Sequence, residues 1–231
     1  SCNGLVRTIV NKNKNKNNIY YLFCKNSLAD TIRFMYRDLG NIKIKPIKSI
    51  DADKEIEKYL LKLKNKSKII KIGFENYNKI YSKINLKNNP VTYDMVFYNQ
   101  VGQNYKNRFT NCYWKRNKKE ENRVYRKLIK NPKKKYLFVH DEPSLDYKID
   151  QSFFSKGYEV IKNDKNEILF NLAKVLENAS ELHLMESSIR NMAESLDLKA
   201  KNKFLYIWRR KDMAPRYNYK QKKIIGSRKN W

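Results

Sequence analysis

An abrupt change of hydrophobic period between Ala179 and Leu198 constrains the fold of this chain more than any other stretch. Leu182, Leu184 and Met185 predict a short buried strand. The following apolar residues recur at the spacing of one helix face: Ile189, Met192, Ala193 and Leu196. Between the two patterns lies Glu186-Ser187-Ser188, where either serine is a good N-cap residue. The stretch therefore predicts a strand that passes directly into a capped helix.

This strand-to-helix turn has two interpretations. The unpaired amides and the dipole of a first helical turn bind phosphate or diphosphate, and serine hydroxyls add further donors. The same pattern is also that of a serine that does no more than cap a helix. The local sequence leaves both open, so the choice depends on the surrounding chain.

Strand and helix patterns alternate along most of the chain, which predicts βαβ units and a parallel sheet. In the first half we expect strands over 19–24, 42–47 and 68–74. The expected helices of this half are 5–10, 29–39, 51–63, a short one at 95–97 and a charged one over 118–129. After Pro132 the alternation restarts, with strands over 135–139, 158–161, 181–185 and 204–208 and helices over 168–176 and 188–196. We therefore predict an α/β protein with two domains, 1–131 and 132–231.

The formal net charge of +28 favours contact with polyanions. The lysines, however, are spread along the whole sequence, often beside asparagine, which indicates a solvated surface with nonspecific polyanion binding as a side effect. A nucleic-acid-binding protein is the rival hypothesis, supported by the charge and by 17 tyrosines available for base stacking. Against it, the sequence carries no RNP-like strand, helix-turn-helix or zinc finger.

The sequence lacks the motifs that are typical of several other classes of protein. Its three cysteines and two histidines have no metal-ligand spacing, so we expect neither a metal site nor a disulfide framework. No apolar run approaches the length of a membrane span, and no signal-peptide pattern is present, so we expect a cytoplasmic protein. GxGxxG, Walker-type and GxSxG motifs are missing as well, which disfavours nicotinamide enzymes, P-loop phosphotransferases and α/β-hydrolases.

Polar groups follow three of the predicted strands in the second half. In open α/β sheets ligands bind beyond the carboxyl ends of the strands, so these groups are candidate ligand contacts. They combine carboxylates that can bind a ribose diol with hydroxyls and cations that can bind a diphosphate. Taken singly, a strand-end histidine or an Arg-Arg pair is more often structural or surface-exposed. The candidate residues are His140, Asp141, Ser144, Glu186, Ser187, Ser188, Arg209 and Arg210.

Five stretches together resemble nucleotide-sugar glycosyltransferases of the GT-B type, particularly small bacterial and viral proteins of polysaccharide biosynthesis clusters. They are residues 2–7, 34–38, 97–98 with Arg108 and Trp114, 136–144 and 181–198. The segment around Glu186-Ser187-Ser188 looks like the donor-phosphate turn of heptosyltransferases and fucosyltransferases. The loop after His140 lies where the latter carry a donor-binding histidine.

The resemblance implies two Rossmann-like halves that face each other across a cleft, with the second half binding a UDP- or GDP-linked sugar without a metal or other cofactor. It places Asn3, Gly4 and Arg108 on the acceptor side, with a glycan or other hydroxyl compound as acceptor. Related proteins carry a Gly-Asp-containing strand before the stretch that matches Cys2-Asn3-Gly4, so the first strand is expected to lie outside this sequence. Asp38 resembles a family position, but the catalytic base is left unassigned. A noncatalytic nucleotide-sugar-binding relative is a further alternative.

Overall fold

The computed structural model describes residues 2–12, 17–48, 51–63, 68–70, 72, 93–141, 148–185 and 187–206. The α-helices among them are α1 Asn3–Lys12, α2 Ala29–Tyr36, α3 Ala52–Lys62, α4 Tyr93–Gln100, α5 Asn107–Thr110, α6 Lys118–Leu128, α7 Ala173–Asn178 and α8 Ser188–Ala193. The strands are β1 Tyr20–Lys25, β2 Ile42–Ile47, β3 Tyr136–His140, β4 Glu159–Lys162, β5 Glu181–Met185 and β6 Asn202–Tyr206. Short 3₁₀ helices span Asn26–Leu28, Gln151–Phe153 and Leu169–Leu172.

Two compact units divide the chain, Ser1–Lys115 and Arg116–Trp231. In the first, β1 and β2 run parallel in the register that pairs Tyr20 with Ile42. The helix α3 begins after Asp51, whose side chain accepts a hydrogen bond from the backbone N–H of Lys54. On this helix Tyr59 packs edge-on against the rings of two β1 residues, Tyr21 and Phe23. Helix α3 thus covers one face of the two-stranded sheet.

Close packing of α1 on α5 forms a second layer of this unit. Gly4 lies where the backbones meet, and a Cβ atom added there would overlap the carbonyl oxygen of Asn107 and lie 3.1 Å from the Cα of Arg108. Thr8 donates a hydrogen bond to the carbonyl of Gly4 and accepts one from Asn111. The contact therefore requires a residue without a side chain at position 4.

The second unit is built on a four-stranded parallel sheet in the order β4-β3-β5-β6. Every residue of β5 is buried, and in β3 only His140 is partly exposed. Strands buried on both faces are typical of parallel sheets, because the crossover connections cover both sides. The edge strands β4 and β6 are less buried. The centre of the sheet is thus mainly apolar, apart from the buried Glu181 and His183 of β5.

Helix α6 belongs to the second unit, although the sequence placed it before the predicted boundary at 131/132. It packs against α7 and the 3₁₀ helix that precedes α7. Arg116 lies before α6 and donates hydrogen bonds to Glu121 on α6 and to Glu177 on α7. Since Glu121 is almost completely buried, this charged contact ties the two helices together.

The coarse prediction of a mixed α/β protein with parallel sheets is confirmed. Observed strands and helices follow the predicted alternation, with ends displaced by a few residues, as in β6, which begins at Asn202 rather than at 204. Of the predicted strand over 68–74, the described residues 68–70 and 72 have no regular secondary structure, and residues 71, 73 and 74 lie outside the described residues. Within the described part of the chain, no helix has the length and apolar character needed to span a membrane.

Replacing Gly4 with alanine tests the close contact between α1 and α5. We expect Gly4→Ala to lower the free energy of unfolding by about 1–3 kcal/mol, because the backbone of α5 must move to admit the methyl group. Gly40→Ala is the matched control, since an added Cβ there meets nothing within 4 Å, and it should change stability by less than about 0.5 kcal/mol. Urea denaturation of both variants measures the difference, and equal midpoints would contradict the contact.

Candidate functional site

The strand order creates a switch point between β3 and β5. From β3 the chain first moves outward to β4, then returns past β3 to β5 and continues to β6. Right-handed crossovers place these two directions of connection on opposite faces of the sheet. The contacts agree: Ser155, before β4, contacts Glu181 on one face, whereas Tyr136 on the other face donates to the carbonyl of Val175 in α7. This topology predicts a crevice at the carboxyl ends of β3 and β5.

Two of the predicted residue groups lie at this switch point. His140 is the last residue of β3 and Asp141 follows it, while Ser187 and Ser188 lie just beyond the end of β5. The register places His140 beside Leu184, so the two groups follow adjacent strand ends. The sequence analysis inferred both groups from strand ends alone, and the parallel register brings those ends side by side.

Two polar contacts join the end of β3 to the end of β4. The His140 Nδ1 atom lies 2.9 Å from Oδ1 of Asn163, so these two side chains are hydrogen-bond partners. Asp141 is buried and forms an ion pair of 3.0 Å with Lys162. Lys162 and Asn163 were missed by the sequence reasoning. Their positions could have identified them. Lys162 ends β4 and Asn163 follows it, just as His140 ends β3 and Asp141 follows that strand.

The turn after β5 contains the predicted helix cap. Ser187 has extended backbone angles, and its hydroxyl accepts a hydrogen bond from the backbone N–H of Arg190 at 3.3 Å. Ser188, the first residue of α8, is exposed. The helix face predicted from residues 189–196 is buried as expected. The hydroxyl of Ser187 therefore serves the helix, and that of Ser188 is open to solvent.

Glu194 lies outside the apolar spacing of Ile189, Met192, Ala193 and Leu196, so the sequence predicts a solvated side chain for it, and that prediction is wrong. Its side chain is only 3% exposed and forms an ion pair with Arg190, one helical turn earlier. The pairing at this spacing neutralises the carboxylate and permits its burial. Arg190 also donates to the side chain of Asn191.

Four of the predicted contact residues lie outside the described residues: Ser144, Glu186, Arg209 and Arg210. They flank described strand ends in the sequence. Ser144 follows the segment that starts at Asp141, Glu186 stands between Met185 and Ser187, and the arginines come after β6. Their participation in a site stays a prediction.

The residues assigned to the acceptor side each have a structural contact in the first unit. Asn3 is buried and accepts a hydrogen bond from the backbone N–H of Tyr113 at 2.9 Å. Arg108 is buried and forms an ion pair of 2.6 Å with Asp94. Gly4 permits the close contact of α1 with α5. These contacts explain the three residue types without a ligand, and an acceptor role for them stays a prediction.

Asp38 is held in a bidentate contact by Arg7, with both oxygens 2.8 Å from the guanidinium. Partial burial acts to raise the pKa of Asp38, but the hydrogen bonds and the charge of Arg7 outweigh that effect and hold the pKa below its ordinary value. A carboxylate with a lowered pKa is a weaker proton acceptor. Asp38 is therefore poorly suited to be the base that the sequence analysis left unassigned.

A second polar cluster lies inside the four-stranded sheet, at the amino end of β5. Glu181 accepts hydrogen bonds from Ser155 and lies 2.6 Å from Nε2 of His183, whose Nδ1 is 2.8 Å from the hydroxyl of Tyr206. Glu181 and His183 are both buried, with the aromatic rings of Phe154 and Phe204 against the imidazole. Ser155 contacts the carboxylate and not the imidazole. The arrangement is therefore a buried hydrogen-bond network rather than a nucleophile with its base.

Comparison with known proteins adds no relative: no protein-family model matches this chain, and no curated protein or solved structure shows significant similarity to it.

The stability of the second unit should depend on pH through Glu181. Burial acts to raise the pKa of Glu181, but the hydrogen bonds from His183 and Ser155 outweigh it, so the pKa lies below the ordinary glutamate value. The unfolded chain then binds this proton at a higher pH than the folded chain, and the stabilisation is lost as the pH falls below about 4.3 and through the lowered pKa. Glu181→Gln should destabilise the protein at neutral pH. It should also make the loss of stability below about pH 4.3 shallower. Denaturation midpoints measured between neutral and acidic pH test this.

Glu159→Gln is the control for that experiment. Glu159 begins the edge strand β4 and is only partly buried, so its replacement should leave the wild-type pH dependence in place. If the denaturation midpoints of the two variants fall equally as the pH is lowered, the network around Glu181 does not couple folding to protonation.

Proposed function

We propose that the second unit binds a nucleotide-diphosphate sugar at the switch point between β3 and β5, and that the protein transfers the sugar to a hydroxyl acceptor. The observation that carries this proposal is the parallel strand order, which brings His140 and the turn at Ser187 and Ser188 to adjacent strand ends. Crevices of this kind bind nucleotides in open α/β sheets. The choice of glycosyl transfer among nucleotide reactions comes from the sequence resemblance to GT-B glycosyltransferases.

The chemistry at the crevice suits a diphosphate leaving group. The exposed hydroxyl of Ser188 and the amides of the first turn of α8 can donate to phosphate oxygens. An imidazole such as that of His140 can form a hydrogen bond with a sugar or ribose hydroxyl. Predicted contributions from Arg209 and Arg210 would neutralise the charge that develops on the departing diphosphate, and Glu186 would bind the ribose diol. This donor set requires no metal ion.

The proposal also assigns an acceptor side to the protein, but no catalytic base. In the GT-B arrangement the first unit supplies the acceptor side, with Asn3, Gly4 and Arg108 as the predicted residues. Transfer with inversion requires a carboxylate or histidine at the acceptor hydroxyl. The ion pair with Arg7 disfavours Asp38 for that task, and the base stays unassigned.

Calorimetric titration with UDP and GDP tests donor binding. We expect one of the two nucleotides to bind the wild-type protein, with an affinity that EDTA leaves unchanged, because helix amides and cationic side chains take the place of a metal ion in the proposed site. Failure of both nucleotides to bind, or loss of binding with EDTA, would contradict the proposal.

Glu186 and Glu159 provide a matched pair of carboxylates for substitution. Glu186→Gln removes the predicted ribose contact at the carboxyl end of β5 and should weaken nucleotide binding about tenfold to hundredfold, the usual effect of losing a charged hydrogen bond. Glu159→Gln removes a carboxylate at the amino end of β4 and should change affinity less than about twofold. Both variants must keep the wild-type melting temperature. Equal affinities would mean that the turn after β5 is only a helix cap.

Turnover distinguishes the enzyme from a noncatalytic binding relative. A transferase is expected to hydrolyse its nucleotide sugar slowly when no acceptor is present, since water can replace the acceptor hydroxyl. Release of UDP or GDP from a panel of nucleotide sugars, measured with the wild-type protein and with His140→Ala, checks this. Nucleotide binding without any release from the panel would identify a binding protein.

A further inference from the structure

The loop that follows β4 is tied to helix α6 by a network of ion pairs. Lys127 donates hydrogen bonds to Asp164 at 2.7 Å and to Glu167 at 2.9 Å. Arg123 donates to both carboxylate oxygens of Glu167, whose side chain is only 8% exposed. Bidentate and networked ion pairs hold their groups in place better than isolated surface pairs do. The loop, which begins at Asn163, is therefore anchored to α6.

His140 faces the first residue of this anchored loop. Val139 pairs with Lys162 in the parallel register, so His140 and Asn163 each come one step later on adjacent strands. Residues that lie opposite each other on neighbouring strands share a face of the sheet. The observed distance of 2.9 Å between Nδ1 of His140 and Oδ1 of Asn163 agrees with this placement. One side of the imidazole is thus held by the loop after β4.

This contact is not needed to join the two strand ends. The ion pair of Asp141 with Lys162 already connects them at 3.0 Å, in addition to the backbone pairing of β3 with β4. Within the described part of the chain, the side chain of Asn163 makes no other hydrogen bond. A partly exposed imidazole can rotate about two side-chain torsions, and a hydrogen bond to one ring nitrogen restricts that rotation. The main consequence of the contact is therefore the orientation of the His140 ring.

We propose that Asn163 is a positioning residue of the donor site, which holds the His140 ring in the orientation that meets the bound nucleotide diphosphate. A ring that is already ordered before the ligand arrives loses less conformational freedom on binding, and this raises the affinity. The identity of the ligand rests on the proposed function. The orientation of the ring rests only on the contacts within the protein.

NMR titration of the histidine rings tests the contact without any ligand. The chain has two histidines, and His183 is fully buried, so the signals of the partly exposed His140 can be followed separately. Asn163→Asp places a carboxylate against the ring and should raise the titration midpoint of His140 by about one pH unit, because a neighbouring negative charge favours the imidazolium form. The midpoint is a direct measure of what lies beside the ring.

Asn166→Asp is the matched control for this titration. Asn166 belongs to the same loop and is exposed, and its side chain makes no hydrogen bond with the described residues. The substitution adds the same charge away from the ring, where solvent screens it, so the midpoint of His140 should move several times less. Equal shifts in the two variants would overturn the proposed contact.

A double-mutant cycle tests whether Asn163 acts on the ligand through His140. Asn163→Leu removes the polar contact and should weaken binding of UDP or GDP, whichever the wild-type protein binds, by about two- to tenfold. Asn166→Leu should change the affinity less than about twofold. In a His140→Ala background, Asn163→Leu should cause no further loss, because the ring that it positions is already missing. All variants must keep the wild-type melting temperature.

The outcomes separate this inference from the proposed function. Additive losses in the cycle, or an unchanged affinity of Asn163→Leu, would overturn the positioning role even if the nucleotide binds. If the wild-type protein binds neither nucleotide, the proposed function fails and the role of Asn163 toward that ligand fails with it. The titration of Asn163→Asp against Asn166→Asp still decides in that case whether Asn163 holds the His140 ring.

Discussion

Burial of β3 and β5 on both faces is the constraint on which the second unit depends. Parallel strands need crossover connections, and those connections cover the sheet on both sides. A polar residue inside the sheet must then find its partners there, as Glu181 does with Ser155 and His183. Polar groups without such partners are confined to the ends of the strands. The architecture thus concentrates the chemistry of this unit at its carboxyl edge before any particular ligand is considered.

The distribution of carboxylates governs the electrostatics of the chain. With 51 lysines and arginines against 23 aspartates and glutamates, most cations cannot have an acidic partner. The buried contacts take up several of the carboxylates, as in the pairs of Asp38 with Arg7 and of Glu121 with Arg116. Burial makes this allocation necessary, because an unpaired buried charge is costly, whereas an exposed cation is solvated by water. The cations in excess of the carboxylates therefore lie mainly on the surface.

The type and order of most elements could be predicted from the sequence, because the apolar residues of each element recur with the period of either a helix or a strand. The apolar residues of β5 and, in α8, Ile189, Met192 and Ala193 are buried, so periodicity alone locates these two elements. The burial of Glu194 could not be predicted in this way, because it depends on an ion pair with Arg190 and not on the spacing of apolar residues. The same holds for Asn163 and Lys162, whose contacts with His140 and Asp141 require that β4 lie beside β3. Strand order is a tertiary property, and it decides which strand ends become neighbours.

The two histidines show how strand position, rather than residue type, determines what a side chain can do. His183 is the third residue of β5, fully buried, and uses both ring nitrogens within the protein. His140 ends β3, is partly exposed, and has its Nδ1 atom 2.9 Å from the side chain of Asn163. Of the two histidines, only the one at the switch point is thus open to solvent, and the fold that buries His183 is the same one that leaves His140 at the edge.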